Sequence, residues 1–277
     1  MTAPRASRSS TPALDGLPGR VGILGVGHMG GALVRGYLAA GLAPERLVLS
    51  PRGAETAAFS AAHGLAVAAD NADLVARADA VLLCVRPPQA VESVAGLPWR
   101  QGQTLVSTCA GSSIAKLREA AGEAPTIARA MPMTSCEIGL SPTAIYPDDA
   151  TAAALMAPLG LVEPLGSEAE FALVTALAVA FTLTHDLIGR TGDWAAANGL
   201  DPAAARRLTA THFEGAARIM AANPERSGDS FVRGLATKGG VAEAAYETLR
   251  PRAYGEAWGE AFDAALRRIR DLEDRRG

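Results

Sequence analysis

VGILGVGHMGG, Val21 to Gly31, is a short apolar run of β type that ends in glycines and passes directly into the helical segment MGGALVRGYLAAG. Gly25, Gly27 and Gly30 have the G-x-G-x-x-G spacing, with a strand before it and a helix after it, the context in which that spacing has a physical meaning. The first glycine makes a tight turn, the second lets the backbone approach a pyrophosphate, and the third lets helix and strand pack closely. The helix start presents free N–H groups and the positive end of its dipole to an anion. The stretch therefore predicts a dinucleotide site built on Gly25, Gly27, His28, Met29 and Gly30.

Outward from it, apolar β-type runs alternate with helical segments as far as Pro164: LVLS, LAVAA, AVLLCV, TLVSTCAG, TIARAMP and TAIYP, separated by patterns such as ETAAFSAAHG and SSIAKLREAAG. That alternation predicts βαβ units and a parallel sheet. Beyond Ser167 the β signals stop, and the pattern to Arg275 is helical, broken at NGLDP, NPERSGD, TKGG and LRP. The expected fold is an α/β Rossmann-type domain over residues 20–164 followed by an all-α domain over 165–277. Residues 1–19 are rich in Ser, Pro, Arg and Gly, lack the apolar core of a signal peptide, and read as a disordered leader.

With 26 basic and 29 acidic residues and no Lys/Arg cluster, the chain lacks the footprint of a nucleic-acid binder and points to a small-molecule partner. The longest apolar run, Ala172 to Thr184, is shorter than the ~20 residues of a membrane span, so it reads as a buried helix with no membrane role. Cys84, Cys109 and Cys136 are odd in number and far apart, which suits buried thiols in a reducing cytoplasm; no His/Cys spacing suggests a metal. LRRIRDLEDRR near the C-terminus is a mixed-charge amphipathic helix with a solvated face.

The second strand ends in Ser50-Pro51-Arg52-Gly53, with no acid until Glu55. A carboxylate there would bond the ribose 2′-OH of NAD, whereas an Arg accommodates the 2′-phosphate of NADP. NADPH is favoured, with NADH an alternative, and Arg52 is either the phosphate ligand or a solvated loop cation. Val85-Arg86-Pro87 and Cys109-Ala110-Gly111 follow two further strands, at the carboxyl ends where open α/β sheets bind ligands. Either Ser112 or Ser113 caps the helix that follows.

G-x-G-x-x-G, AADNAD (68–73), VRPPQ, AGSSIAKL and RAMPMT, followed by a helical region with a TKGG turn, resemble pyrroline-5-carboxylate reductase over nearly all of Val21 to Leu272. The resemblance implies NAD(P)H-dependent reduction of a cyclic imine to proline by a Rossmann domain joined to an all-helical dimerisation domain, in a homodimer or larger homo-oligomer. It also implies that Val85, Arg86 and Pro87 border the nicotinamide, that Ala110 and Gly111 lie under its ring, and that Met131 and Pro132 form a nearby wall.

The chain departs from the family's pattern in three places. M-P-N-T-P appears as Met131-Pro132-Met133-Thr134-Ser135, so Met133 stands where the family has an amide. A Ser/Gly-rich helix start appears as the more apolar Leu177 to Leu183, expected here as one continuous helix. S-P-G-G-T-T, which in the family holds the substrate carboxylate and ring nitrogen, appears as Thr237-Lys238-Gly239-Gly240-Val241-Ala242. Gly239 and Gly240 would keep a backbone cradle for a carboxylate, Val241 lacks the hydroxyl, and Lys238 either adds charge to the site or points to solvent.

Thr182 and His185 are the candidate proton donors, and the His185–Asp186 pair is either a relay or a helix-surface pair. His212 reads as structural. A reductase of a different imine or carbonyl in a specialised pathway, and a non-catalytic dinucleotide-binding protein, are the alternatives.

Overall fold

A computed structural model describes residues 14–274. The chain divides into two compact units, one holding the described chain up to Ala176 together with its end from Leu266, the other Leu177–Ala265.

The first unit runs β1 (Val21–Leu24), α1 (His28–Ala39), β2 (Leu47–Leu49), α2 (Thr56–His63), β3 (Ala66–Val67), α3 (Asn71–Arg77), β4 (Ala80–Leu83), α4 (Ala90–Val94), β5 (Thr104–Ser107), α5 (Ile114–Ala121), β6 (Thr126–Met131), β7 (Ser141–Tyr146), α6 (Ala150–Met156), β8 (Gly160–Pro164) and α7 (Glu168–Leu177). The strands form one sheet in the order β3-β2-β1-β4-β5-β6-β7-β8. The first six are parallel, as expected; β7 runs antiparallel to β6, and β8 is parallel to β7, so the sheet reverses direction once.

β1, β4 and β5 are buried along their whole length. Helices cover both faces of such a sheet, which is why these strands read as unbroken apolar runs. Two cores result: Ile23, Leu33, Tyr37 and Leu82 lie in one, and Leu24, Leu74, Leu83 and Leu117 in the other. Helix starts carry their caps where the sequence offers them: Asp70 accepts from Asp73 N–H, Ser113 rather than Ser112 caps α5, and Asp149 caps α6. At α7, Ser167 accepts from Glu170 N–H while the Glu170 carboxylate reaches one residue past the cap to accept from Gly166 N–H, a variant of the capping box.

Two boundaries differ from the sequence expectation. Residues 1–13 of the proposed leader lie outside the described residues, but residues 14–19 pack on the fold: Leu17 is buried, and the Arg46 guanidinium donates to the carbonyls of Leu17, Pro18 and Gly19. The helical domain does not begin at residue 165. Phe171, Ala172, Thr175 and Ala176 of α7 are buried in the first unit, and the chain's last turns return to it.

The second unit contains α8 (Val179–Ala197), α9 (Pro202–Ala221), α10 (Gly228–Leu235), α11 (Val241–Leu249) and most of α12 (Tyr254–Asp274). Asp201 caps α9 by accepting from Ala204 N–H, with Pro202 in the first turn. The run expected as one continuous buried helix breaks at Ala178: Ala172, Thr175 and Ala176 before the break are buried, whereas α8 after it buries only Gly192. Glu168–Ala197 carries an 18-residue stretch of mean hydropathy 1.8 of which only 22% is buried, so much of its apolar surface is left uncovered by the described residues.

Candidate functional site

The register of the parallel strands lines up Leu24, Leu83, Ser107 and Arg129 in one row across β1, β4, β5 and β6. The segments leaving this row carry the expected cofactor residues. Between β1 and β4 the chain order turns from one side of the sheet to the other, the switch point where open α/β sheets place ligands.

The three glycines at that point have three separate steric roles. Gly25 has φ +99°, and a Cβ on it would lie 2.9 Å from the backbone of Cys84. A Cβ on Gly30 would sit 2.1 Å from the Gly25 carbonyl oxygen, so α1 approaches the loop as closely as backbone allows. A Cβ on Gly27 would meet nothing within 4 Å. That open space lies at the N-cap of α1, which has no side-chain cap, so the first-turn N–H groups at His28, Met29 and Gly30 are left for an anion to bind. The residues present therefore fit a dinucleotide pyrophosphate. His28 is exposed at the helix start.

Ser50, at the end of β2, is buried, and its Oγ accepts the Gly25 N–H at 2.9 Å. It thus fixes the glycine loop from behind. Arg52 is exposed. Glu55, the nearest acid, is ion-paired with Arg35 of α1, which also binds Glu137 at 2.8 Å. Val85 is half-buried, with Arg86 and Pro87 exposed beyond it. Ala110 is half-buried and Gly111, at φ +74°, is buried. Met133 is half-buried, and its N–H donates to Ser141 Oγ at 2.9 Å.

Buried thiols lie under these loops. Cys109 Sγ lies 3.2 Å from the Val85 carbonyl, which ties the segment after β5 to the one after β4. Burial pushes the Cys84 thiol up to about 12 and the Cys109 thiol up to about 11. Cys136 is pushed to about 11 by burial, with the Glu137 carboxylate adding to the rise. All three are free cysteines and stay protonated at neutral pH.

In the helical unit the structure separates what the sequence juxtaposes. His185 and Asp186 do not pair with each other. The His185 ring lies edge-on to Phe181, and its Nδ1 is 2.6 Å from the Phe181 carbonyl, while Asp186 pairs with Arg190. A carbonyl only accepts, so Nδ1 carries the proton and Nε2 is the nitrogen left for other chemistry. Thr182, one residue on from Phe181, is exposed.

The TKGG turn differs more sharply. Gly239 has φ +76° and Gly240 is the N-cap of α11, as a glycine turn into a helix requires. Their N–H groups, however, are not bare: Gly239 donates to the Glu243 carboxylate at 2.6 Å and Gly240 to the Thr237 carbonyl at 2.8 Å. A glutamate three residues into a helix reaches back to the turn in this way. Any anion at this helix start meets the N–H groups of Val241 and Ala242 instead. Val241 is 91% exposed and Lys238 is exposed. A cavity of about 470 Å3 between α10 and α11 is lined by Glu243 with Arg233, Glu247, Arg250 and others.

Residues 20–111 match the family model described as NADP oxidoreductase, coenzyme F420-dependent, and residues 168–272 match that of pyrroline-5-carboxylate reductase dimerisation. The chain is 28% identical over 273 residues to the pyrroline-5-carboxylate reductase of Pseudomonas aeruginosa, covering 93% of this chain and 98% of that protein. The two matched models and this near full-length relative together support the pyrroline-5-carboxylate reductase family. The enzyme of that name from Corynebacterium melassecola is also 28% identical, over 91% of this chain and 98% of its own. The solved structure of the Coxiella burnetii pyrroline-5-carboxylate reductase aligns at TM-score 0.79 and 25% identity, over 93% of this chain and all of that one. The Plasmodium falciparum pyrroline carboxylate reductase, solved with NADP bound, aligns at TM-score 0.82 and 20% identity over 92% and 98%, a likeness of fold.

Sequence analysis overlooked two features of this chain. Arg129 is fully buried in β6, and the signal was present: a lone arginine inside the apolar run TIARAM. Glu243 was passed over as part of a helix, although its place three residues after Gly240 marks it as a partner for the turn's amides.

Proposed function

We propose that this chain is an NADPH-dependent reductase of a cyclic imine acid, with pyrroline-5-carboxylate the leading substrate and proline the product, acting as a cytoplasmic homodimer. The observation that carries the cofactor half is the division of labour among Gly25, Gly27 and Gly30, in which only Gly27 leaves open space at the α1 amides. Arg52 would bind the 2′-phosphate. Support for this comes from Glu55, whose carboxylate is neutralised by Arg35 and so does not compete at the end of β2. Val85, Arg86, Pro87, Ala110 and Gly111 would border the nicotinamide, and Met133 the substrate.

The bound cofactor supplies hydride; the protein's part is orientation and exclusion of water. A protonated imine needs no further acid. Where a proton is required, His185 Nε2 and the Thr182 hydroxyl are the candidates, and Lys238 would supply charge near the substrate. The substrate carboxylate would lie at the start of α11, on the Val241 and Ala242 amides beside Gly239 and Gly240. Homodimerisation is supported by the dimerisation-family match over 168–272 and by the exposed apolar faces of the helical unit. A second copy covering those faces also accounts for the apolar stretch Glu168–Ala197 without a membrane. The three free, buried thiols suit a reducing compartment.

A second reading, reduction of a different imine or carbonyl, is favoured by Val241, which offers no hydroxyl, and by the capture of the Gly239 N–H by Glu243. NADPH oxidation measured against pyrroline-5-carboxylate and a panel of other cyclic imines and 2-oxo acids with amines decides between the two. Efficient turnover of pyrroline-5-carboxylate is expected. Turnover confined to another imine would transfer the assignment to the second reading, and no NADPH binding at all would end both.

A further inference from the structure

We propose that the last turn of α12 is a positioning element for the cofactor loop Cys109–Ser113, held in place by Arg129; this rests on the reading of that loop as bordering the nicotinamide. Arg129 stands beside Ser107 in the last row of the sheet, immediately before that loop in space. It is 0% exposed, an arrangement that persists only when the charge is compensated. Its Nη1 donates to Glu168 at 2.9 Å and to Glu273 at 3.0 Å, and its guanidinium carbon lies 4.3 Å from the Phe171 ring centre.

Each carboxylate holder is tied in turn to the loop and the helix it leads into. Glu168 Oε1 also accepts the N–H of Ile114, the first residue of α5. The Glu273 backbone carbonyl accepts from Lys116 Nζ at 2.6 Å. Leu272 presses on the loop itself: a Cβ on Gly111 would come within 2.6 Å of the Leu272 Cβ. Gly111 thus has two reasons to be glycine, its φ of +74° and the contact with the returning chain end. The separation of 144 residues between Arg129 and Glu273 spans the whole helical unit, so one guanidinium gathers the segment leading into that unit and the segment returning from it.

An ion cluster serving stability alone would hold α5, α7 and α12 together without influencing ligand binding. A positioning element changes the loop. The test uses the full chain carrying Leu272→Ala, Glu273→Gln or Arg129→Lys, with Leu155→Ala as a control, a buried α6 residue in the core cluster that does not contain Cys109. Three quantities are measured: hydrogen exchange of the Gly111–Ser113 amides, NADPH affinity by fluorescence, and kcat and KM for pyrroline-5-carboxylate.

Leu272→Ala and Glu273→Gln are expected to speed exchange at Gly111–Ser113 and to weaken NADPH by about three- to tenfold, with KM for the imine unchanged. Arg129→Lys, which keeps the charge but loses the flat guanidinium over the Phe171 ring, is expected to fall between these and the wild type. Leu155→Ala lowers the melting temperature without either effect. If Leu272→Ala and Glu273→Gln lower the melting temperature but leave exchange at the loop unchanged, the positioning role is overturned. Exchange needs no cofactor, so a wild-type protein that failed to bind NADPH would end the functional reading while exchange still decided this one.

Discussion

The two units differ most in what they bury by themselves. In the first, whole strands are inaccessible and large side chains such as Tyr37, Phe171 and Leu82 are fully covered. In the second, α8 buries one glycine, α9 buries Ala205 and Thr209, and α10 and α11 bury nothing. Trp194 is 68% exposed there, with Leu208, Ile219 and Leu235 also exposed. The first unit has a core of its own, whereas the second has helices whose apolar faces need a covering surface from elsewhere.

The largest effect should come from removing that covering surface. Leu208→Asp combined with Ile219→Asp places two charges on one face of α9 and is expected to convert a dimer or larger assembly to monomer in sedimentation equilibrium. NADPH affinity, if the cofactor binds the glycine loop of the first unit as proposed, should stay within about twofold, a difference of under 0.5 kcal/mol. Turnover of the imine should be lost. A wild type that sediments as a monomer at micromolar concentration would remove the contrast altogether.

Next in size are two substitutions in the same loop with opposite signatures. Gly30→Ala forces a Cβ to within 2.1 Å of the Gly25 carbonyl, so the loop must move; a loss of about 1–3 kcal/mol of stability and of NADPH binding is expected. Gly27→Ala meets no protein atom within 4 Å, so melting should be nearly unchanged while NADPH binding falls. Equal loss of stability in both would show that Gly27 serves the turn and not a ligand.

The self-contained core also predicts a pH dependence. Cys84 and Cys109 keep their protons to about 12 and about 11 when folded, against an ordinary value of 9.0. Above pH 9 the unfolded chain therefore binds fewer protons than the folded one, and stability falls as pH rises, fully retained below that point. Each thiol contributes a slope of about 1.4 kcal/mol per pH unit. Urea unfolding at pH 8 and pH 10 should differ by about 3 kcal/mol for the pair, and Cys84→Ala with Cys109→Ala should remove most of that difference. Tyr37, whose phenol burial holds well above its ordinary range, adds a loss of the same sign above pH 10.

Cofactor choice comes next. Arg52→Ala is expected to weaken NADPH by about ten- to a hundredfold, the worth of one charge-assisted bond, and to leave NADH unaffected. Wild-type affinities that are equal for the two cofactors would return Arg52 to the status of a solvated loop cation.

The legible part of this molecule followed local chemistry. Strand, glycine loop and helix lie within Val21–Ala39, and each step of that reading depends on neighbours in sequence. What was not legible depends on contacts across the chain. α7 was assigned to the helical domain because Phe171 and Ala172 look like any apolar helix, and only packing beside Arg129 of β6 assigns them to the first unit. The apolar run after Leu177 was expected to be buried because hydrophobicity alone does not say which chain covers it. Arg129 and Glu273 meet across 144 residues, a pairing no spacing rule reaches.

The smallest expected effect concerns the two glycine turns that begin helices, one in each unit. At α1 the amides face open space; at α11 those of Gly239 and Gly240 are held by Glu243 and Thr237. If α11 nonetheless receives the substrate carboxylate, the amides used are those after Gly240, where Val241 is the first helical residue and 91% exposed. Val241→Thr changes volume little and adds a hydroxyl at that point, so stability should hold while kcat/KM for pyrroline-5-carboxylate rises by about two- to tenfold, the range of one net hydrogen bond. Lys238→Ala separates a charge at the site from a solvated cation: a rise in KM with NADPH affinity unchanged assigns it to the substrate. Gly240→Ala places a Cβ 2.7 Å from Thr237 Oγ1 and 2.8 Å from its carbonyl, so it tests the turn itself. If Val241→Thr gains nothing on pyrroline-5-carboxylate while Lys238→Ala abolishes turnover of another imine, the α11 turn has been rebuilt around the lysine, and the two helix starts serve different chemistries.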